Sequence, residues 1–287
     1  MTDLKFDLAE ILPMFAPEIR LHPGDPYRPS SVEWYLERTT LQRWRGVFRR
    51  NEVVCISGER LGLVAEIESE DQAALCLTIP EGPNQERSRR GFQPTDGKLS
   101  APCYVNACFA PDEPDAFDLQ YWFFYPFNGR GGRHVTHEGD WEHITVRVTN
   151  APMPILIAAY VSAHGMNNGG WVSRGDGELQ VTDPGHPIIY SAIGSHASYT
   201  TAGVHKQRWP KPGDRTRTGG PVWNTADDLV LVEINGQSPD GLEDAHPWLR
   251  YRGRWGAIRS GFSWPFATTG PIGPSQQQSW IAEPPRR

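Results

Sequence analysis

Six of the nine histidines, His134, His137, His143, His164, His186 and His196, fall within one short stretch of the 287-residue chain, so chemistry is sought there first. Its centre reads Thr136-His-Glu-Gly-Asp-Trp-Glu-His143 and runs into Ile144-Thr-Val-Arg-Val148. The glycine predicts a turn that feeds a strand. Alternate side chains of a strand share a face, so Asp140 and Glu142 are expected to project with Ile144, Val146 and Val148, at the mouth of a buried surface. Two carboxylates so placed repel one another and are costly to desolvate, and a bound cation relieves both problems. His137 is a third candidate ligand, and Asn128, at the end of the aromatic run Tyr121 to Phe127, offers an amide oxygen. Oxygen donors with one or two imidazoles suit Mg²⁺, Ca²⁺ or Mn²⁺ better than structural Zn²⁺, which recruits thiolates. The competing reading of the same spacing is that His137 or Glu142 braces the turn.

Two further histidines follow apolar strands. His164 closes Tyr160-Val-Ser-Ala-His164, and His196 lies in Gly194-Ser-His-Ala-Ser-Tyr199 after Ile188 to Tyr190. Loops at strand ends are common places for sites, so both are candidates for the same pocket. Ser195 beside His196 does not read as a hydrolase pair, because neighbouring strand residues face opposite ways and the Gly-x-Ser-x-Gly elbow is missing. The loop Gly129 to Arg133 lacks the lysine and helix of a phosphate cradle, so no nucleotide cofactor is expected.

The elements that position these groups are mostly strands. The chain carries 29 Gly, 26 Pro and 11 Trp, with aromatics at 11%, which leaves little room for long helices and supplies a large core. The expected fold is mainly β: one β-sandwich domain over 1–287, with short peripheral helices and long Gly/Pro-rich loops. Helices are expected over 3–12, ending before Pro13, and over 31–38, where Ser30 and Glu33 have capping-box spacing. A Pro-rich wrap is expected from about residue 246. Strands are expected over 53–56, 61–67, 73–79, 103–109, 119–127, 142–148, 155–162, 188–193 and 229–234. The run Tyr121 to Phe127 is apolar on both faces and reads as a central core strand. Cys55, Cys76, Cys103 and Cys108 have no metal-knuckle spacing and read as free thiols.

A net charge of −6, from 28 Lys plus Arg against 34 Asp plus Glu, argues against nucleic acid as a partner. No run approaches the roughly 20 apolar residues of a membrane span, and the acidic start Met1-Thr-Asp is unlike a secretory signal, which leads to a cytoplasmic expectation.

The motifs around His137 to His143, Tyr121 to Asn128 and Gly194 to Tyr199 resemble the vacuolar protein sorting-associated protein 62 family. Phe15-Ala-Pro17, Leu21-His-Pro23, Pro29 to Trp34, Trp248 to Gly256 and Gly270 to Pro274 are similar to that family's opening and end. The His-x-x-Asp-Trp-Glu core with Ser162-Ala-His164-Gly165 more distantly resembles the necrosis-inducing peptide-like toxins. That resemblance implies a β-sandwich holding a divalent cation through Asp140, His137, Glu142 and His164, directly or through water, and engaging membrane sphingolipid headgroups. Asn128 stands where the toxins carry an aspartate, which removes one negative charge from the implied ligand set. Three functions follow as expectations. The first is a binding module whose cation helps recognise a small molecule, lipid headgroup or glycan, in peripheral contact with a membrane, with His196, Trp141 and Trp122 facing the ligand. The second is an enzyme that cyclises or hydrolyses a small lipophilic substrate, using Asp140, Glu142 and His137 beneath an apolar pocket of Trp122, Phe124 and Trp141. The third is an interaction role in trafficking.

Overall fold

The computed structural model describes residues 3–46, 49–55, 72–129, 136–163, 169–183, 185–206, 213–239, 245–259 and 268–286. Its strands, in chain order, begin with β1 (Glu18–Arg20), β2 (Thr40–Arg43), β3 (Glu52–Cys55), β4 (Leu75–Thr78), β5 (Lys98–Leu99), β6 (Cys103–Phe109), β7 (Ala116–Asn128) and β8 (His137–Thr149). They continue with β9 (Leu156–Val161), β10 (Gly170–Ser173), β11 (Ile188–Ser191), β12 (Ser198–Tyr199), β13 (Gly203–His205), β14 (Asp214–Thr216), β15 (Val222–Asn224) and β16 (Leu229–Ile234). Among the described residues four short α-helices accompany them: α1 (Leu8–Phe15), α2 (Val32–Leu36), α3 (Gln85–Arg89) and α4 (Gln278–Ile281). The expected mainly-β fold is what the chain forms. The expected strand over 61–67 lies outside the described residues.

The central sheet has the order β10-β9-β8-β7-β6-β16, antiparallel throughout except for the parallel pair β16 and β6. A second sheet, β12-β11-β1-β15-β5, packs on one face of it. Ile19, Leu99, Ile189 and Trp223 of that sheet meet Val105, Leu119, Tyr121, Phe123, Ile144 and Val146 of the central one. The opposite face carries Tyr104, Trp122, Phe124 and Trp141, and is covered by Val32, Tyr35 and Leu36 of α2, by Leu41 and Leu77 of the small sheet β3-β2-β4, and by Trp248, Trp255 and Trp280 of the C-terminal segment. The central sheet is therefore buried on both faces, which is why β7 is apolar on both. Each buried aromatic removes about 150–250 Å² from water, a transfer term of about 4–6 kcal/mol before entropy is charged against it.

Local chemistry moves two helix boundaries. Helix α1 begins where the Asp7 carboxylate accepts from the Ala9 N–H at 2.9 Å, and it runs on through Pro13 to Phe15, since one lost N–H near the end of a packed helix is tolerated. Helix α2 is capped by Ser31, whose Oγ accepts from the Trp34 N–H at 3.0 Å, and not by Ser30, which is buried and donates to the Ser31 carbonyl. Cys76 and Cys103 are buried free thiols, and Cys108 is a half-buried one. Among the described residues no helix is long and apolar enough to cross a membrane.

Candidate functional site

The expected turn before β8 is instead strand: His137 and Glu138 pair in register with the end of β7, Asn128 opposite His137 and Phe127 opposite Glu138. Gly139 makes this possible. Its φ of +63° lies in the left-handed region, and a Cβ there would stand 1.8 Å from the Trp255 carbonyl oxygen. The irregularity at Gly139 sends Glu138 toward Ile79 and Arg89, while Asp140 and Glu142 lie on the other side with Tyr125 and Ile144.

Asp140 and Glu142 are both buried, as is the cluster they belong to. Asp140 Oδ2 accepts from Asn128 Nδ2 at 3.1 Å and from His196 Nδ1 at 2.8 Å. The far nitrogen of His196, Nε2, lies 3.6 Å from Asp25 Oδ2 and has no hydrogen-bond partner. Asp25 is itself tied down by the Gly194 N–H at 2.7 Å and the Tyr27 N–H at 2.9 Å. The His196 ring stacks on Tyr125 at 3.8 Å with its plane 5° from parallel, and its backbone holds a φ of +55°. A non-glycine residue kept in that region is a local strain that the surrounding contacts must sustain. Glu142 Oε2 accepts from Ser162 Oγ at 3.1 Å. Burial, then the charges of Asp140 and Asp214, push the Glu142 carboxyl well above its ordinary value, with the Ser162 hydroxyl opposing.

His137 faces this cluster from the rim. Its Nδ1 lies 2.7 Å from the Gly139 carbonyl oxygen, which fixes the N–H there and turns the Nε2 lone pair toward Asp140 Oδ1, 4.0 Å away. The second carboxylate oxygen of Asp140 and a neutral imidazole are hard donors of the type that Mg²⁺, Ca²⁺ or Mn²⁺ takes, and in that respect the residues fit a cation. Among the described residues, however, no three His, Cys, Asp or Glu side chains are grouped closely enough to hold a metal ion. Asn128 presents its amide nitrogen to Asp140, and expected ligand His164 lies outside the described residues.

The structure thus brings Asp140, His137, Asn128 and His196 together, with Glu142 one strand position pair further in. It does not bring the tryptophans. Trp122 and Trp141 are enclosed in the second core, Trp141 stacked on Trp248 and Trp122 on His143, with Trp280 against it. Neither opens onto a ligand, and the pocket expected from Trp122, Phe124 and Trp141 is filled by Tyr35, Trp248 and Trp255. Ser195 Oγ donates to Asp214 Oδ1 at 2.7 Å and so takes no part in a Ser-His pair. Asp25 and Asp214 belong to the cluster without having been expected there. The Gly24-Asp25-Pro26 turn was the available signal for Asp25, while Asp214, at the start of β14, lies in a stretch that reads from sequence as a solvated polar loop.

A mainly-β protein with a buried acidic cluster, His-lined at its rim, is the class defined by this fold and site. A model of the Vacuolar protein sorting-associated protein 62 family matches residues 4–258, and the chain belongs to that family. It is 30% identical over 279 residues to the Vacuolar protein sorting-associated protein 62 of Saccharomyces cerevisiae, covering 84% of this chain and 58% of that one. A second yeast vacuolar protein sorting-associated protein, TDA6, is 29% identical over 168 residues, 48% of this chain and 35% of its own length. The chain thus spans less than three fifths of the curated relatives it matches. Among solved structures, Necrosis and Ethylene inducing Protein 2 from the agent of cocoa's Witches Broom disease aligns at 15% identity and TM-score 0.35, over 78% of this chain and 73% of that one. NLPPya in complex with glucosamine aligns at 13% and 0.34, over 77% and 71%. Likeness this slight bears on neither the mechanism nor the ligand of this chain.

Proposed function

We propose that this chain is a binding module that holds a divalent cation, Mg²⁺, Ca²⁺ or Mn²⁺, at His137 and Asp140 and uses it to recognise a lipid headgroup, glycan or other polar small molecule. The observation that carries the reading is the facing pair itself: His137 Nε2 and Asp140 Oδ1 stand 4.0 Å apart, with the imidazole oriented from behind by the Gly139 carbonyl. The buried carboxylates of Glu142 and Asp214 lie further in, Asp140 and Asp214 repel the charge of Glu142, and a cation at Asp140 offsets that repulsion. A bound ion supplies a positive charge for the oxygens of a ligand, which together with water completes its coordination. Asn128 and His196 hold Asp140 in place, and Glu142 adds negative charge from within.

The enzymatic alternative needs an apolar pocket above Asp140 and Glu142, and the aromatic side chains that were to line it are packed against one another instead. Binding is therefore preferred to cyclisation or hydrolysis. The relatives' names attach them to vacuolar protein sorting, and recognition of a headgroup or glycan is the contribution we assign to this chain in such a role.

The test is thermal unfolding of the full chain in EDTA and after saturation with Ca²⁺, Mg²⁺ or Mn²⁺. An ion present at 100 times its dissociation constant adds about 2.7 kcal/mol, so at least one ion should raise the melting temperature by several degrees, and Asp140→Asn should erase the rise. No rise with any of the three ions, or an equal rise in Asp140→Asn, overturns the reading.

A further inference from the structure

One row of directly opposed residues crosses all six strands of the central sheet: Glu233, Asn106, Gln120, Thr145, Tyr160 and Trp171. Five of these six side chains hydrogen-bond to a single short segment, residues 279–286, laid across them. We propose that the row is a docking site for a peptide carrying a tryptophan and, three residues on, a glutamate. The chain's own Trp280-Ile-Ala-Glu283 occupies it as a ligand in cis, which the matching segment of a partner protein displaces.

The manner of attachment carries the inference. The backbone bonds of the segment close on itself, Trp280 N–H to the Gln277 carbonyl at 3.1 Å and Ala282 N–H to that of Gln278 at 3.0 Å, and among the described residues none joins it to a strand. The sheet reads it through side chains instead. Asn106 Nδ2 donates to the Trp280 carbonyl at 2.8 Å, Gln120 Nε2 to the Ser279 carbonyl at 2.6 Å and Trp171 Nε1 to the Pro284 carbonyl at 2.7 Å. The amides are set for this by their neighbours: Gln120 Oε1 accepts from Asn106 Nδ2 at 3.0 Å and from Trp122 Nε1 at 3.2 Å, which leaves Gln120 Nε2 for the segment.

Three side chains of the segment supply specificity. The Trp280 ring packs on Trp122 with centroids 5.3 Å apart, while its Nε1 donates to Glu233 Oε2 at 2.6 Å. Glu283 Oε1 accepts from Thr145 Oγ1 at 2.7 Å and lies 2.6 Å from His143 Nε2. Arg286 Nε donates to Glu113 Oε1 at 2.8 Å, which adds a basic residue three positions further on. Ile281, between the two anchors, is exposed. A buried aromatic anchor with charged contacts at fixed spacing is how one chain reads a segment of another. Permanent core is met differently: Trp255 of the same half of the chain packs on Tyr35, Phe124 and Trp141. The row offers polar groups, whose hydrogen bonds water takes over when the segment leaves, so its release costs less than baring an aromatic face.

The experiment uses a fluorescent peptide with the sequence of residues 277–286 and the full chain carrying Glu283→Ala, which loosens its own segment. A tethered segment competes at an effective concentration of about millimolar, so the variant should bind the peptide saturably in fluorescence anisotropy, and the parent chain at least tenfold more weakly. Peptides with Trp280→Ala or Glu283→Ala should each lose at least tenfold in affinity for the variant. Adding Thr145→Val to the chain, isosteric but without the hydroxyl, should weaken binding of the unaltered peptide. A second measurement needs no variant: in the isotopically labelled parent, unlabelled peptide at millimolar excess should shift the amide resonances of residues 279–286. No saturable binding to the folded variant, binding indifferent to both peptide substitutions, or parent resonances unmoved by the peptide overturns the proposal. A concentration-dependent dimer of the parent that Glu283→Ala abolishes makes the occupant a second copy's segment and overturns the partner reading. All arms run in EDTA, so the result is independent of the cation response at Asp140.

Discussion

Strand β8 carries buried charge at both of its ends, and the two ends solve the same electrostatic problem differently. Toward its C-terminus, Arg147 is fully enclosed, and its charge is met by the carboxylates of Asp118, Asp112 and Glu113. It makes a two-pronged pair with Asp118 directly opposite on β7, Nε to Oδ1 at 2.7 Å and NH2 to Oδ2 at 2.9 Å, and its NH1 lies 2.8 Å from Asp112 Oδ1. Its guanidinium also lies over the Trp171 ring at 4.3 Å. Nearby, His143 is bound to Glu283 at 2.6 Å, and the Thr145 hydroxyl donates to the same carboxylate at 2.7 Å. Toward the N-terminus, Asp140 and Glu142 face further acids and are held by an amide, an imidazole and a hydroxyl. Matched charge buried in a core is a structural device; buried charge with its compensation incomplete is where a ligand contributes.

The sharpest way to break this comparison is to remove the cation from the matched end. Arg147→Met strips Asp118 of its counter-charge in a site where burial already pushes that carboxyl upward against the pull of Arg147. A loss of about 3–5 kcal/mol is expected, read from urea unfolding at neutral pH. The equivalent deletion at the other end, Asp140→Asn, should cost far less in EDTA, because it also relieves repulsion with Glu142. Equal costs at the two ends would remove the distinction between structural and functional charge.

A somewhat smaller effect is expected at Gly139, where the strand turns Glu138 away from the acidic cluster. Gly139→Ala places a methyl against the Trp255 carbonyl and asks an alanine to hold φ +63°. Left-handed backbone costs about 1–2 kcal/mol and overpacking about 1–3 more, so a loss on the order of 3 kcal/mol is predicted. Near-wild-type stability in chemical denaturation would show that the strand turns at this point without needing the glycine.

What the sequence made legible follows from which signals are local. Alternation along Ile144, Val146 and Val148 put Asp140 and Glu142 on the correct face of β8, and the apolar run of β7 marked the strand that both cores share. The turn expected at Gly139 is a strand, because the glycine serves a close approach by Trp255, a residue more than a hundred positions away. Long-range pairing also explains the rest. Asp25, Asp214 and Arg89 join their partners through tertiary contacts that no spacing encodes, and the tryptophans looked available because their covering, Trp248 and Trp255, arrives from the distant C-terminal segment.

The smallest expected effect tests the unmatched end most directly. The Glu142 carboxyl is raised in the folded protein, so between its ordinary value of 4.5 and the raised one the native state binds more protons than the unfolded chain. Stability contributed by this group therefore falls as pH rises through that interval and reaches its lowest level above the folded value. Glu142→Gln removes the slope while leaving an oxygen to accept from Ser162. At neutral pH in EDTA the variant should be as stable as the parent or more so, by on the order of 1 kcal/mol, and the advantage should vanish at pH 4. Cation should narrow the gap from the other side, by stabilising the parent more than the variant, because it offsets a charge that only the parent carries. A variant less stable than the parent at neutral pH in EDTA would mean that Glu142 is already compensated, and that this end of β8 is as closed as the end around Arg147.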